Sequence, residues 1–143
     1  MVYMIKVNVS VSNISAERFL DFRKPIPPIQ INTNLSLTGM EKKVDDSLEV
    51  PFVLTISYNP SVAQISLKGK AYVIGDRSEI DKIYKEYEEK KPPPPVIVQS
   101  VSNIAFTESV IISRTLNVPP PIPLPQIQKT GINDKKSLRD YSA

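Results

Sequence analysis

The chain opens on alternation. Ile5, Val7, Val9 and Val11 alternate with Lys6, Asn8, Ser10 and Ser12. A period of two with β-branched residues predicts a half-buried strand. Between 13 and 22 the pattern loosens: Phe19, Leu20 and Phe22 are apolar, but Arg18, Asp21 and Arg23 interrupt them. A short helical turn and a continued, bent strand both fit. Residues 24–28 (KPIPP) exclude helix, because each proline removes a donor and restrains the residue before it. In the second strand Ile29, Ile31, Leu35 and Leu37 oppose Gln30, Asn32, Asn34 and Ser36, with Thr33 polar on the oily side. Thr38-Gly39 begins a turn, and 41–47 reads as a charged loop. The third strand sets Leu48, Val50, Phe52, Leu54, Ile56 and Tyr58 on one face; Pro51 within it argues for an edge position or a bulge. Asn59-Pro60 is a turn signal. The fourth strand sets Ala63, Ile65, Leu67, Ala71 and Val73 against Gln64, Ser66, Lys68, Lys70 and Tyr72. Gly69 in its middle suggests a bulge or a close backbone approach.

The period then changes. Asp76 is a fair N-cap with Glu79 at the third position, and Ile80, Ile83, Tyr84 and Tyr87 recur at helical spacing. Pro92 ends this helix, and 92–95 forms a short, stiff polyproline strut. In a second helix Ile97, Val101, Ile104, Ala105, Glu108, Ile111, Ile112 and Leu116 keep helical period; its β-branched content means that packing has to hold it. A strand alternative covers 96–102 alone. From Pro119 the chain is extended again, with Ile122, Leu124 and Ile127 as its apolar points. The expected class is α+β: a four-stranded antiparallel β-meander, two C-terminal helices covering its oily face, then a Pro-rich extended segment. Residues 1–127 form one expected domain, and 128–143 a basic, polar, flexible tail.

Composition narrows the chemistry. The 143 residues contain no Cys and no His, which removes disulfides, thiolate nucleophiles, Cys/His zinc sites and a Ser-His dyad. With only four Gly and no phosphate-binding glycine loop, an enzyme is not expected, nor any cofactor or metal. Net charge is +3. The body is nearly neutral, and the excess sits in the tail on Lys129, Lys135, Lys136 and Arg139. The first ten residues lack a signal-peptide pattern, and no continuous apolar run reaches the roughly 18 residues of a membrane span, so a cytoplasmic protein off the membrane is expected.

The order of parts resembles the SecB preprotein-export chaperone family, including its archaeal SecB-like branch. The similarity runs over roughly residues 3–127. Its specific features are a helix ending in Ser113-Arg114, then Pro119, the alternating Ile122 and Leu124, Pro125 and apolar Ile127. Thr115 stands where the family usually has Gly, and the near-neutral body differs from the acidic family body. The resemblance implies a client-binding scaffold with an apolar groove between sheet and helix. It also implies oligomerisation through strand one and the helices, commonly as a dimer of dimers.

Two functions follow as expectations. The first is an ATP-independent chaperone that binds unfolded or nascent polypeptides through Ile97, Val101, Phe106, Val110, Ile122 and Leu124 and by β-augmentation at sheet edges, as a homo-oligomer. For Ile97, Val101 and Phe106 simple core packing is the plainer role, and for the 119–125 segment with Ile122 and Leu124 an extended strut packed on the sheet. The alternative is a structural subunit of a ribonucleoprotein particle such as the ribosome. There Lys42, Lys43, Lys135, Lys136 and Arg139 contact rRNA or an acidic partner, and the Pro-rich arm docks. For Lys42 and Lys43 the plainer role is edge protection of a sheet.

Overall fold

The computed structural model describes residues 4–121. In chain order the elements are β1 (Ile5–Arg18), β2 (Gln30–Leu37), β3 (Glu41–Lys42), β4 (Leu48–Asn59), β5 (Ala63–Gly75), α1 (Arg77–Glu88) and α2 (Pro95–Thr115). The class is α+β, with an antiparallel sheet and two helices. The expected four-strand meander needs two corrections. The sheet has five strands, because the charged loop contains a short strand, β3, whose Glu41 and Lys42 pair with Glu49 and Leu48 of β4. The order is β1-β5-β4-β2, so β1 lies beside β5 and not beside β2. Strands β2, β4 and β5 follow one another, and β1 closes onto the far side as in a Greek key. Alternation shows which face of a strand is oily. It does not show which neighbour the strand takes.

The 19–29 link therefore crosses the end of the sheet from one edge to the other, about 14 Å at three strand spacings. Phe19 and Leu20 both donate their backbone N–H to the Val62 carbonyl in the β4–β5 turn, at 2.8 and 3.3 Å, and the prolines keep the rest extended.

Pro51 is tolerated in a central strand for a local reason. The register of β2 on β4 ends at Phe52 and that of β3 begins at Glu49, so Pro51 faces the gap between them. Its carbonyl accepts from Thr38 N–H at 2.8 Å, which orients its donorless nitrogen to the same interrupted side. Gly69 shows both features the sequence suggested. The β1 register slips opposite it, between Val11 and Asn13. A Cβ there would lie 2.2 Å from the Ser10 carbonyl oxygen and 2.7 Å from Phe52 Cζ.

The core fills one face of the sheet. Leu48, Val50, Phe52, Leu54, Ile56 and Tyr58 of β4 and Ala63, Ile65, Leu67, Ala71 and Val73 of β5 are buried beneath Ile80 and Ile83 of α1 and Ile97, Val101 and Ala105 of α2. Asp76 takes the N-cap position of α1 but makes no side-chain capping bond. The Glu79 carboxylate instead accepts from Met4 N–H at 2.9 Å and ties the start of the sheet to α1. Proline at the first position of α2 is well placed, since its missing donor has no helical partner there.

Candidate functional site

Helix α2 lies over β1 and β5, next to the β1 edge. Its buried stripe is Ile97, Val101, Ala105, Ser109 and Ser113, a run of i,i+4 steps. The two serines are small enough to let the helix settle on the sheet. Their hydroxyls donate to the Phe106 and Val110 carbonyls of their own helix, both at 2.7 Å, so they enter the core satisfied. The helix is thus turned away from its most apolar presentation. Val96, Val98, Ile104 and Ile111 face outward, and Ile111 is 54% exposed. By length and composition α2 is also apolar enough to cross a bilayer, although no continuous apolar run suggested it.

The end of α2 is held by two anchors. Arg18, the last residue of β1, donates through Nη1 to the carbonyls of Leu116 (3.0 Å) and Asn117 (2.7 Å), and through Nε to Leu20 O (2.8 Å). Tyr58 donates its hydroxyl to the Pro119 carbonyl at 2.6 Å. Burial pushes the Tyr58 pKa up to about 12, so the hydroxyl stays a donor. Residues 116–121 consequently cross the same end of the sheet as the 19–29 link.

At this end the apolar surface is open. Ile14 on the core side of β1 is 54% exposed; Phe19 and Phe22, just past the strand, are 51% and 67% exposed. The Arg18 guanidinium sits 4.4 Å from the Phe22 ring centroid. Strand β1 has 14 residues and, among the described residues, pairs only with β5. Its other edge therefore presents unpaired backbone donors and acceptors, which is a template for an added strand. Together these features make a candidate surface for an extended polypeptide: a long open edge flanked by apolar side chains.

The residues expected to bind a polypeptide divide. Ile97 and Val101 are fully buried beneath α2, so as folded they are core and not a visitor's contact; their i,i+4 spacing puts them on the sheet-facing stripe. Phe106 and Val110 are half-buried on the helix flank. Ile122 and Leu124, like Lys135, Lys136 and Arg139, lie outside the described residues. Lys42 and Lys43 are both engaged with carboxylates. Lys42 pairs with Asp81 and, at 4.0 Å, with Asp46. Lys43 pairs with Glu41 at 3.3 Å and with Glu49 at 3.4 Å, which raises its pKa. Lys70 sits 2.6 Å from Glu49 on the other side and, with Lys43, holds that carboxyl below its usual range. These lysines knit the β3–β4 hairpin to α1 and to the outer face of the sheet.

Ile14, Phe19 and Phe22 were not expected at a site. The available signal was the run FLDFRK, where large apolar residues sit among charges and neither helical nor strand period accounts for them.

The chain matches no family model and no curated protein. Two solved structures are similar to it. One is a SecB-like chaperone from Mycobacterium tuberculosis, solved in complex with a ChAD peptide from an antitoxin. It is 9% identical, the match covers 87% of this chain and 88% of that one, and the TM-score is 0.52. The other is a protein of unknown function from Streptococcus agalactiae, 10% identical, covering 88% of this chain and 100% of that one, with a TM-score of 0.37. The first likeness is one of fold: a SecB-like chaperone is a structural neighbour of this chain.

Proposed function

We propose that this protein is an ATP-independent, SecB-like chaperone that binds non-native polypeptides and works by binding alone. The observation that carries the reading is the open β1 edge flanked by exposed apolar residues of α2 and of the 19–29 link. An extended client adds to the edge through backbone hydrogen bonds, which carry little sequence information, and buries apolar side chains against Ile14, Phe19, Phe22 and the α2 flank. The fold likeness to a chaperone solved with a bound peptide supports the same reading. The reading includes a homo-oligomer, assembled through surface other than the Ile104 and Ile111 side chains that meet the client.

The test is suppression of aggregation of a chemically denatured client at moderate salt. Wild-type protein protects the client without nucleotide, and Ile104→Ser with Ile111→Ser weakens protection while the circular dichroism spectrum is kept. Absence of protection, together with co-sedimentation with ribosomal subunits at low salt, would replace this reading with the ribonucleoprotein one.

A further inference from the structure

The open edge ends among cations. Arg18, Arg23, Lys24 and Arg114 gather where β1, the 19–29 link and the end of α2 meet; Glu17 and Asp21 are the acidic groups in the same segments. Asp21 is committed to Arg23, at 3.1 Å, and that contact holds its carboxyl below the usual range. Lys24 and Arg114 have no ion pair among the described residues, and Arg23 keeps 90% of its side chain in solvent despite its partner. Arg18 spends its hydrogen bonds on carbonyls, and Asp21, held first by Arg23, is the carboxylate that feels its charge. The opposite end of β1 is different, because there the Glu79 carboxylate accepts from Met4 N–H. Lys6 stands at that end too, so what sets the Arg18 end apart is its excess of four cations over Glu17 and Asp21.

Deepening the chaperone reading, and resting on it, we propose that the client class is an extended segment of alternating apolar and polar residues flanked by acidic residues, which lie at the Arg18 end of β1. Each part of the pattern has a cause. The free backbone of β1 accepts only a chain that can return amide hydrogen bonds, which selects polypeptide over lipid or nucleic acid. On the core side the added strand meets Ile14 and then the exposed rings of Phe19 and Phe22, so alternate residues are large and apolar. On the outer side it meets Asn8, Ser10, Asn13 and Ser15, which are uncharged and tolerate any polar residue, between Lys6 at one end and Glu17 at the other. Beyond Arg18 the link and the end of α2 supply Arg23, Lys24 and Arg114, which with Arg18 outnumber Glu17 and Asp21, so Asp or Glu is attracted and Lys or Arg repelled. Exposed pairs are individually weak and screened by salt, so the effect is a preference and not an on-off switch.

The experiment uses the full chain and two fluorescein-labelled peptides with the same alternating apolar core, one flanked by glutamates and one by lysines, read by anisotropy. At low salt the acidic-flanked peptide binds about tenfold more tightly, as expected for two or three exposed pairs. The gap closes at 0.5 M salt, as screening requires. Arg23→Gln with Lys24→Gln and Arg114→Gln removes most of the gap; Phe19→Ala with Phe22→Ala weakens both peptides. These substitutions are on exposed side chains, and circular dichroism checks the fold. Equal affinity for the two peptides overturns the charge preference and leaves the chaperone reading standing. Binding of neither overturns both. A stable dimer by light scattering, with cross-links through the 19–24 segment, overturns the inference by showing that a second copy covers this surface.

Discussion

Arg18 and Asn117 lie 99 positions apart and meet at 2.7 Å, guanidinium to carbonyl. The same Nη1 reaches Leu116 O, so one side chain at the end of an edge strand binds the carbonyl of the α2 C-cap and that of the residue after it. The charge is well placed, since a cation near a helix C-terminus is favoured by the helix dipole. Replacing Arg18 by Leu removes these bonds and strands the carbonyls. The expected loss is about 2 kcal/mol in urea unfolding, with Lys recovering part of it. Because the same residue carries Phe22, client protection falls together with stability.

Gly69 is the tightest point in the sheet. The Phe52 ring lies over it and the Ser10 carbonyl approaches where a Cβ would stand. Neither neighbour has room to move, one being core aromatic and the other backbone. Gly69→Ala is expected to cost about 3 kcal/mol in denaturant unfolding. Amide hydrogen exchange in β1 rises with it, because the β1–β5 pairing must open to make space.

Tyr58 couples the core to residue 119. Tyr58→Phe leaves the ring in place and removes the donor to Pro119 O, with an expected loss of about 1 kcal/mol. The pH dependence follows from linkage. The unfolded phenol ionises near its ordinary value of 10 and the folded one near about 12, so stability from this group is intact below pH 10 and is lost between the two values. Thermal melts of wild type against Tyr58→Phe across that window show a shallower alkaline decline in the variant.

Glu49 makes the opposite prediction. Lys70 first, and Lys43 with it, hold its carboxyl below its ordinary 4.5. Its contribution is present above that value and disappears as pH falls through the lowered one. Glu49→Gln is expected to flatten the acid limb of the stability profile below about pH 4.5 and to do little above it beyond the lost ion pairs.

The two sides of α2 are expected to respond in opposite ways. Ser109→Leu adds bulk to a buried position against the sheet, and a loss of about 2–3 kcal/mol is expected. Ile111→Ser changes stability by about 0.5 kcal/mol or less, since the side chain is largely in water. Urea midpoints of the two variants distinguish this orientation of the helix from one with its most apolar face inward.

The sequence by itself determined the four long alternating runs and which face of each is oily, but not the short β3 or the continuation of β1 past Ser12. Ile5 to Val11, Ile29 to Leu37, Leu48 to Tyr58 and Ala63 to Val73 alternate because burial on one face imposes a period of two, and that period is written locally. It also pointed to both helices, through Asp76, the proline strut and the change of period, with 96–102 left open to a strand until packing made it helical. Only the tertiary structure decided that β1 takes β5 as its neighbour, since pairing depends on contacts nearly sixty residues away. The rotation of α2 was decided in the same way. Ser109 and Ser113 went inward because close approach to the sheet stabilises more than burying Ile104 or Ile111 would, a comparison between two surfaces that neither surface's sequence contains. The candidate surface follows from those two decisions: once β1 became an edge and α2 turned Ile104 and Ile111 outward, an open strand beside exposed apolar side chains was left.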